Sequence, residues 1–115
     1  FTHEMKPMEV EIVVAEIDVA GTAELYRIQY DGTVADEQHW CCIGGDSESV
    51  IDRLADGWDK ELDRDGAVNL AVASLAGSDR TITADELEVA VLAPENGRRC
   101  FYRLSDSETE SVLAQ

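Results

Sequence analysis

The apolar positions along the chain change their period twice, and each change marks a change of element. From residue 9 the row "EVEIVVAEI" is β-branched and nearly continuous, which predicts a strand covered on both faces, and "DVAGT" at 18–22 breaks it. In "ELYRIQY" alternation puts Leu25, Arg27 and Gln29 on one face of a second strand and Tyr26, Ile28 and Tyr30 on the other. Asp31-Gly32 is the residue pair most typical of a tight hairpin turn, so the return strand is expected in "EQHWCCIGG", residues 37–45. Joined by short turns, the three strands would make an antiparallel meander.

After Gly44 and Gly45 the period becomes helical. Val50, Ile51, Leu54, Ala55 and Trp58 share a face, and Asp46 or Ser47 is placed to cap the first turn. A second helix is expected over 67–77, packing Val68, Leu70, Ala71 and Leu75 and ending at Gly77. Alternation returns in "LEVAVL" (87–92), turns through 93–99 and re-enters in "CFYRL" (100–104), a second hairpin. Ser105 and Glu108 form a capping box ahead of a short last helix. The same box occurs at Thr83 and Glu86, but Leu87, Val89 and Val91 alternate directly after it, so one helical turn at most is expected there. The order β-β-β-α-α-β-β-α defines an α+β class.

Composition narrows the field of functions. The chain has 115 residues, enough for a single domain spanning 1–115. Its net charge of −16 repels phosphate backbones and anionic lipid, which argues against nucleic acid and membrane surface as partners. No apolar run approaches the roughly 20 residues that a membrane span needs, so a soluble protein is expected. Three cysteines in no spaced framework suit a reducing compartment, the cytoplasm. The first residue is Phe1 inside the charged "FTHEMKPMEVE", which reads as the middle of a longer chain, so a fragment is expected.

Several constellations imitate active sites. "QYDGTV" resembles the signature of aspartate-nucleophile phosphatases, but Gln29 stands where the attacking carboxylate belongs, and a neutral amide cannot be that nucleophile. Asp31 and Gly32 then read as a turn. Residues 61–72 follow a calcium-loop rhythm through Glu61, Asp63, Asp65 and Gly66, yet position twelve holds Val72 in place of the bidentate glutamate, so a solvated acidic turn between helices is expected. On a strand, His39 and Cys41 would face one way and Cys42 the other, leaving two ligands of the four a zinc site needs, with His3 and Cys100 far along the chain. "IGGDSES" puts Asp46 and Glu48 where a phosphate would lie. No serine, threonine or histidine has a spacing that commits it to a triad. Arg98, Arg99 and Arg103 are the only basic cluster, and solvent-side or interface ion pairs with the surplus acids are their expected role. No catalytic, cofactor-binding or metal residue is assigned.

Taken in order, the motifs resemble one family. "F-T-x-x-x-K-P-x-E-V-E" from Phe1, "V-A-E" from Val14, "E-L-Y-R-I-x-Y-D-G-T-V-A-D-E" from Glu24, the Gly44-Gly45 pair, "L-E-V-A-V-L" from Leu87 and "R-R-x-F-x-R-L" from Arg98 are similar to the C-terminal half of bacterial, actinobacterial-type proteasome alpha subunits. The resemblance implies the second half of an Ntn-hydrolase fold, a four-layer αββα sandwich with two sheets stacked between helical layers. It also implies a non-catalytic role: alpha-type subunits build the outer rings of the core particle, admit substrate and stack on the beta rings. The partners it implies are other alpha and beta subunits, an activator ATPase and the N-terminal half of the same fold. Catalytic beta-type subunits need an N-terminal threonine whose own amine acts as base, whereas here Phe1 precedes Thr2. Gly57, Gly66 and the acidic run around them depart from the family pattern, suggesting a short first helix and a late second one; "HWCCIGG" replaces a plainer apolar strand. A half-sandwich would expose about 500 Å² of apolar sheet, worth on the order of 10 kcal/mol, and should self-associate. The alternative from the residues alone is a small stand-alone α+β interaction module with an acidic helical face.

Overall fold

The computed structural model describes residues 10–115. Strand β1 (Ile12–Ile17) runs antiparallel to β2 (Ala23–Ile28), which pairs in turn with β3 (Val34–Glu37), in sheet order β1-β2-β3. Between β1 and β2 the Asp18 carboxylate accepts from the Ala20 and Thr22 amides at 2.9 Å, an Asx-type turn. The β2–β3 turn is the Asp31-Gly32 turn that the sequence predicts. Gly32 has a φ of 89°, the Gln29 amide donates to the Thr33 carbonyl at 2.9 Å, and the Asp31 carboxylate accepts from the Thr33 amide.

The return strand lies earlier than expected. It covers Val34–Glu37, whereas residues 38–45 form neither strand nor helix. The register gives the reason: Leu25 faces Glu37, so Glu24 and Ala23 could serve only the next two residues, and β2 has no residue opposite 40–45. The apolar content of "HWCCIGG" is suited to a strand, but the described residues supply no neighbour for it.

Helices α1 (Ser47–Gly57) and α2 (Arg64–Ala76) follow, antiparallel in sequence and packed on each other. Asp46 occupies the N-cap of α1, but neither it nor Ser47 caps through its side chain as expected. Helix α2 starts at Arg64, three positions before the predicted 67 and contrary to the late start that Gly66 suggests, because Asp63 caps it by accepting from the Gly66 amide at 2.7 Å. Gly57 has a packing reason: a Cβ there would lie 2.5 Å from Leu70 Cδ1, so any larger residue would push the Leu70 side chain out of its place between the helices. Arg53 Nη1 donates to the Ser74 carbonyl at 2.6 Å, joining α1 to α2.

One 3₁₀ turn (Ala84–Glu86), closed by the Thr83–Glu86 capping box, leads into β4 (Ala90–Leu92). A second 3₁₀ turn (Pro94–Asn96) carries the chain back into β5 (Phe101–Arg103), which pairs antiparallel with β4. Helix α3 (Asp106–Leu113) begins in the expected Ser105–Glu108 capping box. Asn69 on α2 donates to the Val112 carbonyl on α3 at 2.9 Å and docks the last helix.

The core is small. Among the described residues the buried apolar ones are Val50, Leu54, Ile82, Ala84, Leu104 and Val112, all on helices or their connections and none on β1–β3. The expected covering of β1 on both faces is not met by the described residues: Ile12, Val13 and Val14 remain 48 %, 39 % and 40 % exposed.

Candidate functional site

The register sorts the side chains of the three-stranded sheet onto two faces. Ile12, Val14, Tyr26, Ile28 and Val34 share one face, with Glu16, Glu24 and Asp36 at one end of it. Among the described residues the helix pair lies against the other face, lined by Val13 and Leu25, and Ile12 and Val34 stand about half exposed. It is an apolar strip ending in three carboxylates.

Tyr26 sits where the strip meets the acids. Its phenol donates to Glu24, and its pKa is pushed up to about 12, first by that hydrogen bond, then by desolvation and by the charges of Glu24, Asp36 and Glu16. Glu16 and Glu24 are directly paired across strands, where like charges repel. An apolar centre whose acidic end pairs with no cation among the described residues can receive another apolar layer and a cation; it supplies no nucleophile with a base.

The opposite face turns to the helices. Arg27 lies between Glu11 and Glu37, 3.4 Å from each. Val13 and Leu25 on the sheet and Trp40, Leu54, Trp58 and Leu70 opposite them wall a cavity of about 530 Å³. His39 stacks on Trp58 with ring centroids 4.2 Å apart. The helix pair therefore faces this side of the sheet across the cavity.

The residues singled out from sequence fall at separate places. Asp31 is committed to its turn, where the Thr33 amide lowers its carboxyl pKa. Asp63 caps α2, Asp65 bonds Arg64 and Gln115, and Arg64–Ala76 is helical, so 61–72 does not form the expected acidic turn throughout, nor a calcium loop. Because 38–45 is not a strand, Cys41 and Cys42 do not point to opposite faces: both border the same cavity, and burial raises both thiols. Among the described residues no three His, Cys, Asp or Glu side chains are grouped to hold a metal ion. Arg103 pairs with Glu88 at 3.3 Å on the surface, while Arg98 and Arg99 stay exposed. Phe1, Thr2 and His3 lie outside the described residues, and no described helix is long and apolar enough to cross a membrane.

Sequence reasoning placed Tyr26 and Ile28 on one face but missed the three acids beside them. Glu16, Glu24 and Asp36 come together only through the cross-strand register, which depends on where each turn closes.

Residues 1–92 match the family model described as "Proteasome subunit". The chain is 42 % identical over 114 residues to the proteasome subunit alpha of Acidimicrobium ferrooxidans, covering 98 % of this chain and 49 % of that protein. With the proteasome subunit alpha of Xylanimonas cellulosilytica it shares 46 % identity over 116 residues, covering 90 % and 48 %. With that of Mycobacterium sp. (strain KMS) it shares 40 % over 123 residues, covering 100 % and 49 %. The chain spans about half the length of the curated relatives it matches.

Proposed function

The chain belongs to the proteasome subunit family, and from that premise we propose that it serves in the outer, alpha-type ring of a proteasome core particle as a non-catalytic subunit. The observation that carries this reading is its similarity, along 90 % or more of its length, to proteins named proteasome subunit alpha. In this role it supports ring assembly and substrate entry in cytoplasmic protein degradation. Its partners are other alpha-type subunits, the beta-type subunits that cut, and an activator ATPase above the assembled ring.

We further propose that residues 1–115 supply the second half of an αββα sandwich. The open strip of Ile12, Val14, Tyr26, Ile28 and Val34 supports this, since it is the face a second sheet would cover. The other half of the fold would bring that sheet and a neighbour for 38–45. The stand-alone module is the weaker reading, because it leaves this strip without an occupant.

The test is reconstitution of the full-length protein with a proteasome beta-type subunit. Assembly into particles with fluorogenic-peptide turnover is expected. Turnover should vanish when the beta subunit's N-terminal threonine is replaced and survive Thr2→Ala in this chain. Peptide hydrolysis by the full-length protein alone would overturn the non-catalytic assignment.

A further inference from the structure

The β4–β5 hairpin turns through an asparagine–glycine pair. Asn96 closes the second 3₁₀ turn and Gly97 follows it, both exposed. In this pair the next main-chain amide reaches the asparagine side chain most readily, because no Cβ on the glycine crowds the attacking nitrogen. The loop keeps that path open. The Gly97 amide donates no hydrogen bond among the described residues, Gly97 has a φ of 101°, and a Cβ there would meet no atom within 4 Å. Asn96 Nδ2 donates to the Val91 and Cys100 carbonyls, but at 3.3 Å each bond is longer than a good N–H···O contact and restrains the side chain weakly.

Elsewhere the same chemistry is shut off. Asn69, the chain's other asparagine, stands inside α2 with its amide donating to the Asp65 and Val112 carbonyls at 2.9 Å, and the bulky Leu70 follows it. Aspartate ahead of glycine closes the same ring more slowly, and it occurs at Asp31, Asp56 and Asp65. The Gly32 amide is held by the Gln29 carbonyl at 2.9 Å, the Gly66 amide by the Asp63 carboxylate at 2.7 Å, and Gly57 lies within α1. Among the described residues, an exposed asparagine and a free glycine amide coincide only at 96–97.

We infer that Asn96 is a site of spontaneous covalent modification, converting to aspartate and isoaspartate through a cyclic imide with Gly97. Hydroxide takes the Gly97 amide proton, the nitrogen attacks Asn96 Cγ, and the Cγ–Nδ2 bond breaks as ammonia leaves with a proton from water. Water then adds to one carbonyl of the imide. Opening at Cγ leaves aspartate, and opening at the main-chain carbonyl leaves isoaspartate, with the chain rerouted through Cβ and Cγ. The sum is asparagine plus water giving acid plus ammonia, with no oxidation or reduction. The product alters the loop: a donor shared by two carbonyls becomes a carboxylate facing the same oxygens, so repulsion replaces both bonds. Cys100 holds a φ of 61°, a left-handed conformation that persists only while the loop over-determines it. Conversion therefore loosens the hairpin and sets a negative charge beside Arg98 and Arg99, neither of which forms an ion pair among the described residues.

The test is incubation of the full-length protein at neutral and mildly alkaline pH, followed by peptide mapping. Mass spectrometry reads the replacement of NH by O in the peptide carrying residue 96, and co-elution with synthetic peptides separates aspartate from isoaspartate. Conversion should quicken about tenfold per pH unit, as removal of an amide proton by hydroxide requires. In the folded protein it should run within about tenfold of its rate in urea, while Asn69 stays intact until the chain is unfolded. Asn96→Gln, which would have to close a larger ring, should stop it. In Asn96→Asp, with circular dichroism unchanged, the amides of β5 should exchange hydrogen several-fold faster than in the parent. Conversion in the folded protein slower than in urea by more than about tenfold, or equal conversion at Asn69, would overturn the site. Unchanged exchange in Asn96→Asp would overturn its effect on the hairpin.

Discussion

At Gly77 a single added methyl group would meet two obstacles. The backbone φ is 67°, and a Cβ would lie 2.8 Å from Arg53 Nη2 and 3.0 Å from its Cζ, the guanidinium that also holds the Ser74 carbonyl. Gly77→Ala should therefore lose about 1–2 kcal/mol in urea unfolding. In an Arg53→Ala background the loss should shrink to the backbone part alone, a coupling that a double-mutant cycle reads directly. Tyr26 gives a second test at this scale. Its folded pKa of about 12 stands above the ordinary 10.0, so the folded state favours the neutral phenol. Its contribution is complete below pH 10.0 and is lost as pH rises through about 12. A spectrophotometric titration should find a phenol ionising near 12 that disappears in Tyr26→Phe; if no tyrosine ionises that late, the hydrogen bond to Glu24 is not formed in solution.

Elements were legible where one local signal sufficed. Turn chemistry at Asp31-Gly32, the capping box at Ser105 and Glu108, and the helical period from Val50 to Trp58 each act within a few residues, and each element stands where its signal lies. Reading failed where the outcome depended on a neighbour. Residues 38–45 have strand-like composition, but β2 ends before it can pair with them. Gly57 contradicts helix propensity until Leu70 is seen against it, and Gly66 suggests a late start until the Asp63 carboxylate is seen taking its amide. That cap is testable: Asp63→Ala should cost about 1 kcal/mol, with faster hydrogen exchange confined to the first turn of α2. Unchanged exchange there would mean that the helix start is held by the loop before it.

The whole molecule is more open than its size requires. A radius of gyration of 16.1 Å compares with about 13 Å for a compact domain of this length. Its surface of 8796 Å² compares with about 6,200 Å² for a compact monomer of this mass. The excess follows from where the core sits: among the described residues, six buried apolar residues gather around the helices, while no described helix covers one face of the three-stranded sheet and a cavity separates the other from the helices. If the face without a helix is an internal surface of a larger sandwich, one substitution should act in opposite directions in two contexts. In the isolated 115-residue chain Val14→Lys adds a cation to an exposed apolar strip, so light scattering should show less self-association with the helices intact. In the full-length protein the same lysine would be buried between sheets, where the carboxylates of Glu16, Glu24 and Asp36 at the end of the strip offset only part of its lost hydration, and the loss should reach about 3 kcal/mol or more, enough to abolish assembly with beta-type subunits. A full-length Val14→Lys protein that unfolds within about 0.5 kcal/mol of the parent would mean that the strip faces solvent there too, and the sandwich reading of this chain would fall.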